Sequence, residues 1–340
     1  MARQRLRNYI EQAGVNSREQ FHADTSPATT FKQQSERWLE HAGTRTRKPV
    51  KPATIAGWQE SLKAWILPNV GGKLLSEVSN GVLRELVGKM PGLAPKTIVN
   101  YVQVVKMVVA SAVNDEGDQI YPRTWNHDFI GLPIVQKEKQ HRPTITETEL
   151  GEILSSVKNR YAVLFTLLAG TGLRIGEALG LKTSDLADDC RILHVRQSIW
   201  RGKEQEPKTP NAVRVIDIPE ALAGILRDCF AGRNGYLFAT AQGRPLLARN
   251  VLRVLHSTGK RVGFHAFRRY RAAVLRKGQV PEDLITLWLG HARTLTDRYA
   301  AQLREDDQYR SAWCERAGLG FSVVPLLHAD VVSIESVIAA

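Results

Sequence analysis

One stretch of this chain cannot help build a core, and it divides the rest. Pro133 to Thr144 (PIVQKEKQHRPT) is charged, has neither helical nor strand periodicity and is bounded by prolines, so it reads as an interdomain linker. With 340 residues the chain is long for one compact domain and long enough for two. The organisation that follows is an N-terminal segment over 1–28, a helical domain over 29–132, the linker over 133–144, a larger domain over 145–316 and a tail over 317–340.

The two sides of the linker carry different periodicities. From Thr30 to Asn114 the apolar residues recur at helical spacing. Phe31, Trp38 and Leu39 share one face, and Ile55, Trp58, Leu62, Trp65 and Ile66 a second, in a helix that Pro68 is expected to stop. Val82, Leu83, Leu86, Val87 and Met90 make a third helix. Pro95 opens a fourth, whose apolar side holds Ile98, Val102, Val105, Val109 and Ala112. Its other side offers Lys96, Asn100 and Gln103 about a turn apart, which suits either a DNA groove or an ordinary solvated face. Beyond the linker, Thr146 and Glu149 form a capping-box pattern. An apolar helix over Tyr161 to Ala169 is broken by Gly170-Thr171-Gly172, and a new helix begins near Leu173. Arg191 to Ile199 alternates as a strand does and Val213 to Ile218 is strand-like, which suggests a hairpin with Lys208 near its tip. The fold class expected is mainly α with a small antiparallel β-sheet.

Composition narrows the partner. The formal net charge is +13 and the pI about 9.8, which favours a polyanion, with nucleic acid first and an anionic membrane surface as the competitor. No apolar run approaches the ~18 residues of a membrane span, and the basic start, Met1 to Tyr9, lacks the apolar core of a secretion signal. A cytoplasmic location is the expectation. Cys190, Cys229 and Cys314 are far apart, show no metal spacing and read as reduced structural thiols.

The chemistry lies in an ordered set after the linker: Arg174 in Gly172-Leu173-Arg174-Ile175-Gly176-Glu177, Lys208 in Pro207-Lys208-Thr209, His265 and Arg268 in His265-Ala266-Phe267-Arg268, His291 in Leu289-Gly290-His291, and Tyr299. A phosphodiester repels nucleophiles through its charge, so a metal-free catalyst must neutralise that charge with fixed donors. The planar forks of Arg174 and Arg268 suit the non-bridging oxygens. A tyrosine, with a pKa near ~10, needs a base or a strong positive field before it can attack. His265 is the candidate base, one helical turn from Arg268. Lys208, or Lys203 as its nearest competitor, can protonate the leaving sugar oxygen, and His291 can donate to the phosphate. Arg269 and Arg271 read as phosphate contacts or solvated charges. There is no acidic triad of the kind a metal-dependent nuclease requires.

In this order and spacing the residues resemble the tyrosine recombinases, the integrase family, over roughly Thr30 to Arg316. Gly170 to Leu179 looks like the family's first arginine box, with Arg174 the first catalytic arginine and Glu177 the acidic residue that supports the site. Pro207-Lys208-Thr209 with Arg214 looks like the hairpin lysine segment. His265-Ala266-Phe267-Arg268 and Leu289-Gly290-His291 match the second box, and Tyr299 falls at the nucleophile. His291 to Tyr299 is eight residues, one fewer than is usual in the family, and Tyr309 is the alternative nucleophile. The resemblance implies a SAM-like helical core-binding domain that clamps double-stranded DNA together with the catalytic domain. It implies a 3′-phosphotyrosyl intermediate, a free 5′-hydroxyl, and strand exchange by four protomers through a Holliday junction. Neither metal nor nucleotide cofactor is implied, because the phosphotyrosyl link conserves the bond energy. A host DNA-bending factor is a further expected partner. The short N-terminal segment suggests a simpler recombinase than the phage integrases with an arm-binding domain, or one with a truncated N-terminus. The apolar tail Phe321 to Leu327 can dock on a neighbouring protomer or on its own domain, and the final Ala339-Ala340 resembles endings that bacterial unfolding proteases recognise. The expected role is integrase of a phage or mobile element, with a chromosome-dimer resolvase and a non-catalytic DNA-binding regulator on the same fold as alternatives.

Overall fold

The computed structural model describes residues 29–47, 49–136, 138, 142–206, 213–291 and 301–323. Lys208, Tyr299 and residues 324–340 lie outside them, as do residues 1–28. The chain divides into two compact units between residues 140 and 141.

The first unit is helical among its described residues. Helix α1 (Phe31–Thr44) opens on Thr30, whose hydroxyl accepts from the Gln33 backbone N–H while the Gln33 side chain accepts from the Thr30 N–H. Helix α2 starts at Pro52–Ser61 and does not stop at Pro68. It passes through one turn of π-helix, Leu62–Ile66, and runs on as Leu67–Val70. In that turn the Leu67 N–H bonds to the Leu62 carbonyl, five residues back. The wider turn is the physical reason for the difference. A proline in a regular helix loses a donor and its ring strikes the carbonyl four residues back, and a π-turn re-aims that carbonyl. Helices α3 (Asn80–Gly88), α4 (Pro95–Ala110) and the short α5 (His127–Ile130) complete the unit. Its core joins Phe31, Leu62, Ile66, Leu83, Leu86, Val102 and Val105, all buried. Lys96, Asn100 and Gln103 lie exposed on α4, on the side away from that core.

The second unit is built around α7 (Asn159–Thr171), which is buried without interruption from Ala162 to Thr171. A helix apolar all round belongs inside a domain, and this one is covered by α6 (Glu147–Ser155), α9 (Glu220–Phe230) and α11 (His265–Lys277). Phe165 stacks on Phe267 of α11 with ring centroids 5.5 Å apart. Helix α8 (Ile175–Gly180) follows α7 after Gly172, which turns left-handed at φ 69°. The sheet differs from a single hairpin. Strand β1 (Ile192–Val195) pairs antiparallel with β4 (Arg214–Asp217), and between them β2 (Ser198–Trp200) pairs with β3 (Lys203–Gln205). The expected strand over Arg191–Ile199 is therefore two strands. It breaks at Gln197, whose amide donates to the Gly180 carbonyl at 2.5 Å. The tip of the β2–β3 hairpin is Arg201-Gly202, both with positive φ, and the expectation for Lys208 falls outside the described residues.

Helix α10 (Ala248–Ser257) and helix α12 (Glu282–Leu289) flank α11, and α13 (Ala301–Glu305) and α14 (Asp307–Ala317) end the described fold. The start of the tail packs on its own unit: Leu319 is buried in the core, the Tyr270 hydroxyl donates to the Gly320 carbonyl, and Phe321 meets the Tyr270 ring edge-on. Among the described residues no helix is long and apolar enough to cross a membrane. Phe165→Ala is expected to cost the protein about 3–5 kcal/mol through the cavity left between α7 and α11. Denaturant unfolding of the two proteins checks it, and a cost under about 1 kcal/mol would contradict a close-packed α7.

Candidate active site

Glu177 organises the site. It stands at the third position of α8, and its Oε2 accepts from the Arg174 backbone N–H at 3.0 Å, the half of a capping box that an acidic residue supplies. This explains the three-residue spacing of Arg174 and Glu177. The same carboxylate binds two guanidinium groups. Arg174 Nη1 donates to Oε1 at 2.7 Å, and Arg214 of β4 donates to Oε1 at 3.3 Å and to Oε2 at 3.0 Å. The Arg214 and Glu177 side chains are 1% and 4% exposed, whereas that of Arg174 is 40% exposed. Burial alone would raise the Glu177 pKa; the charge and hydrogen bonds of Arg214, with Arg174, overcome this and hold it below its ordinary value.

Arg268 comes from α11, one turn after His265, and is buried. Its Nη1 donates to the Gly172 carbonyl at 2.8 Å and its Nη2 to the Leu289 carbonyl. It thus joins the end of α7 to the end of α12. Burial, then repulsion by Arg174, pushes its pKa down to about 10, against the attraction of Glu177. The Glu177 carboxylate binds the guanidiniums of Arg174 and Arg214 and acts on that of Arg268 through its charge, so the cluster carries a surplus of two positive charges before any ligand arrives. That surplus makes the cluster a receptor for an anion, and Arg174 is its open side.

His291 is placed by backbone. Gly290 is left-handed at φ 62°, its N–H bonds to the Leu287 carbonyl, and the His291 N–H reaches the Thr286 carbonyl at 3.1 Å. These two bonds are a Schellman ending. They leave the imidazole exposed, so His291 caps the helix with its main chain and its side chain is accessible. Arg214 fixes the same turn through Nε, which donates to the Trp288 carbonyl at 2.8 Å. The imidazoles of His265 and His291 both have lowered pKa values. The causes are partial desolvation first, then Arg268, with Arg269 and Arg174 acting on His265 and Arg174 and Arg276 acting on His291.

The structure thus brings together Arg174, Glu177, His265, Arg268 and His291. It corrects the reading of Arg271 and narrows that of Arg269. Arg271 is 2% exposed, with Nη1 on the Gly318 carbonyl at 2.5 Å, so it ties α11 to the tail and cannot reach a phosphate. Arg269 is half-buried and its guanidinium holds the Pro143 carbonyl, with Nε at 2.9 Å. Lys208 and Tyr299 fall outside the described residues. Arg214, which sequence reasoning left out of the candidate site, is central to it. The available signal was a cation between apolar residues in Val213-Arg214-Val215-Ile216, at an inward position of a strand.

Two outcomes follow from this geometry. At Gly290 an added Cβ would stand 3.0 Å from Cζ, Nε and Nη1 of Arg214 as well as straining φ. Gly290→Ala should therefore lower the melting temperature by several degrees and weaken phosphate chemistry more than Gly43→Ala, where the added Cβ meets nothing within 4 Å; equal melting curves would contradict it. The histidines titrate in the opposite sense to a paired histidine. Their folded pKa lies below the unfolded value of ~6.5, so the unfolded chain binds the proton first. Their contribution to stability is intact above about 6.5 and falls as pH drops from there to the folded pKa. In the free protein the NMR titration midpoints of His265 and His291 should both lie below 6.5; a midpoint above it would contradict the positive cluster.

Known proteins resemble the region that holds this geometry. Residues 143–305 match the phage integrase family model. The chain is 27% identical over 293 residues to a "Tyrosine recombinase XerC-like" protein of Caldanaerobacter subterraneus subsp. tengcongensis, across 75% of this chain and 74% of that one. It is 23% identical over 301 residues to an integrase of Mycobacterium phage D29, across 81% and 78%. Among solved structures, the Tn1549 transposon integrase in complex with a circular intermediate DNA shares the fold with a TM-score of 0.61 and 20% identity, across 81% of this chain and 99% of that one. A lambda integrase tetramer bound to a Holliday junction shares it with a TM-score of 0.59 and 17% identity, across 85% and 86%. The arginine–glutamate–histidine cluster lies inside the matched region, and these likenesses along most of the chain support a tyrosine recombinase, an enzyme that cleaves and rejoins DNA in site-specific recombination.

Proposed function

We propose that this protein is the integrase of a phage or other mobile element, acting on double-stranded attachment sites through a covalent tyrosine link. The observation that carries the reading is the cluster of Arg174, Arg214 and Arg268 about Glu177, with its surplus of positive charge beside two imidazoles whose pKa values are lowered. Arg174 and Arg268 clamp the non-bridging oxygens of the scissile phosphate, and the charge that develops in the transition state meets donors already in position. His265 accepts the proton of the Tyr299 hydroxyl as its oxygen attacks phosphorus. The phosphorus–oxygen bond to the 5′-side sugar breaks, and Lys208 protonates that oxygen. The products are a 3′-phosphotyrosyl link and a free 5′-hydroxyl, which attacks the partner strand's link in turn. Tyr309 is the weaker candidate for nucleophile: it lies in α14, where its ring meets Trp313 edge-on.

The D29 relative supports the phage reading, and the XerC-like relative supports a chromosome-dimer resolvase as the second. Residues 29–132 would serve as the core-binding domain, with Lys96, Asn100 and Gln103 on its DNA side, and 145–316 as the catalytic domain. Four protomers would assemble on a Holliday junction, in the host cytoplasm, with a DNA-bending factor as a further partner. A complete phosphate-binding cluster argues against a regulator that only binds DNA.

The test uses nicked duplexes carrying the attachment site of the protein's own element, in EDTA. The expected result is an SDS-resistant protein–DNA band that Tyr299→Phe abolishes while leaving the native-gel shift intact, with affinity falling steeply as salt rises. A specific shift with no covalent band would favour the binding-only reading, and a normal band from Tyr299→Phe would move the nucleophile elsewhere.

A further inference from the structure

The segment that carries Tyr299 has its two flanks tied to one atom of β4. On the upstream side, the Trp288 indole Nε1 donates to Asp217 Oδ2 at 2.7 Å. On the downstream side, Arg310 of α14 donates from Nε to the same Oδ2 at 3.0 Å. Arg310 extends the tie with Nη1 on the Arg304 carbonyl in α13 and Nη2 on Asp307 Oδ1, both at 2.6 Å. Trp288, Asp217 and Arg310 are all buried. None of them belongs to the phosphate cluster, yet Arg214, three residues before Asp217 on β4, does, and it holds the Trp288 carbonyl. One short strand therefore presents the arginine that organises the phosphate site and the carboxylate that fixes both approaches to residues 292–300.

We propose that Asp217 is a positioning residue for the nucleophile: by holding Trp288 and Arg310 together it sets where the Tyr299 segment starts and ends, and so where its hydroxyl meets the phosphate. The inference rests on the reading of Tyr299 as nucleophile. It separates two properties that a general loss of structure would move together. Asp217 governs the step in which tyrosine attacks, while activation of the phosphate belongs to Arg174, Arg214 and Arg268.

The two properties can be read on two substrates with the full-length protein. The first is the nicked attachment-site duplex, on which the rate of covalent adduct formation requires Tyr299. The second is the same duplex with a 3′-p-nitrophenyl phosphodiester at the scissile position and a 5′-hydroxyl on the adjoining strand. There the 5′-hydroxyl gives up its proton to solvent, its oxygen bonds to phosphorus and p-nitrophenolate leaves with the electron pair; the joined strand reports this reaction, which a Tyr299→Phe background keeps free of tyrosine attack, although the phosphate must still be clamped. Asp217→Asn should slow adduct formation by about a hundredfold, the cost of an ångström-scale misplacement, with DNA binding and, in the Tyr299→Phe background, strand joining unchanged within about twofold. Arg310→Lys, which keeps a cation against Asp217 but cannot hold the Arg304 carbonyl and Asp307 at once, should show the same split to a smaller degree and serves if Asp217→Asn does not fold. Arg174→Ala should slow both reactions. Equal slowing of both reactions by the Asp217 and Arg310 variants, or normal adduct formation by them, overturns the proposal. Tyr299→Phe on the same two substrates keeps the readings apart: an adduct from that variant defeats the nucleophile assignment, whatever the Asp217 variants do.

Discussion

A single buried carboxylate, Glu177, is the constraint on which the rest of the site depends. It caps α8 through the Arg174 backbone, orients the exposed Arg174 side chain, and neutralises Arg214 in the interior. Arg214 in turn holds the Trp288 carbonyl, where α12 ends and the Gly290-His291 turn begins. Removing the carboxylate would leave Arg214 charged and buried, a change of the kind that costs about 3–5 kcal/mol. The loss would reach Arg174 on one side and His291 on the other. A buried ion pair is weak evidence for stability in itself. Here it earns its place by fixing geometry, because one acidic side chain sets the positions of groups from α8, β4 and α12.

The same cluster is suited to the phosphate that the proposed function places there. Arg268 is desolvated and repelled by its neighbours, and its pKa falls to about 10. Arginine at ordinary pH still keeps its proton, so the repulsion is relieved by a ligand anion rather than by deprotonation. Affinity and catalysis then share one cause. Donors held by the Gly172 and Leu289 carbonyls cannot relax away when charge grows on the phosphate, so they need no reorganisation at the moment of reaction. The net charge of +13 provides long-range attraction to DNA, which is a separate effect and is screened by salt.

How much of this could be read from the sequence depended on whether a signal was local. The capping box at Thr146, the buried helix over Tyr161 to Ala169 and the α4 face with Lys96, Asn100 and Gln103 are patterns within a few residues, and they appear in the structure as read. The three-residue spacings Arg174–Glu177 and His265–Arg268 were legible for the same reason. Pro68 misled because the sequence shows the missing donor but not the π-turn that accommodates it. Arg191 to Ile199 misled because alternation continues through Gln197, where a tertiary bond to Gly180 breaks the strand. Arg271 could not be told from Arg268 by position on α11: both are buried, and only the location of Gly172, Leu289 and Gly318 in space makes one a site residue and the other a tie to the tail. Asp217 and Arg310 are 93 residues apart, and no spacing rule connects them.

The depressed histidine pKa values fit a base that must wait for its substrate. Partial desolvation and the charges of Arg268, Arg269 and Arg174 hold the His265 pKa below its ordinary value and so favour the uncharged imidazole. An uncharged imidazole can accept a proton, but the same positive field that keeps it neutral makes it a weak base. A phosphodiester entering the cluster adds a negative charge beside Arg174 and Arg268 and cancels part of that field. On the proposed reading of His265 as the base, the sign of this interaction raises the imidazole pKa on binding, so its basicity grows when the tyrosine proton has to be taken. The arginines that attract the phosphate therefore hold the base in reserve, and the phosphate itself releases it.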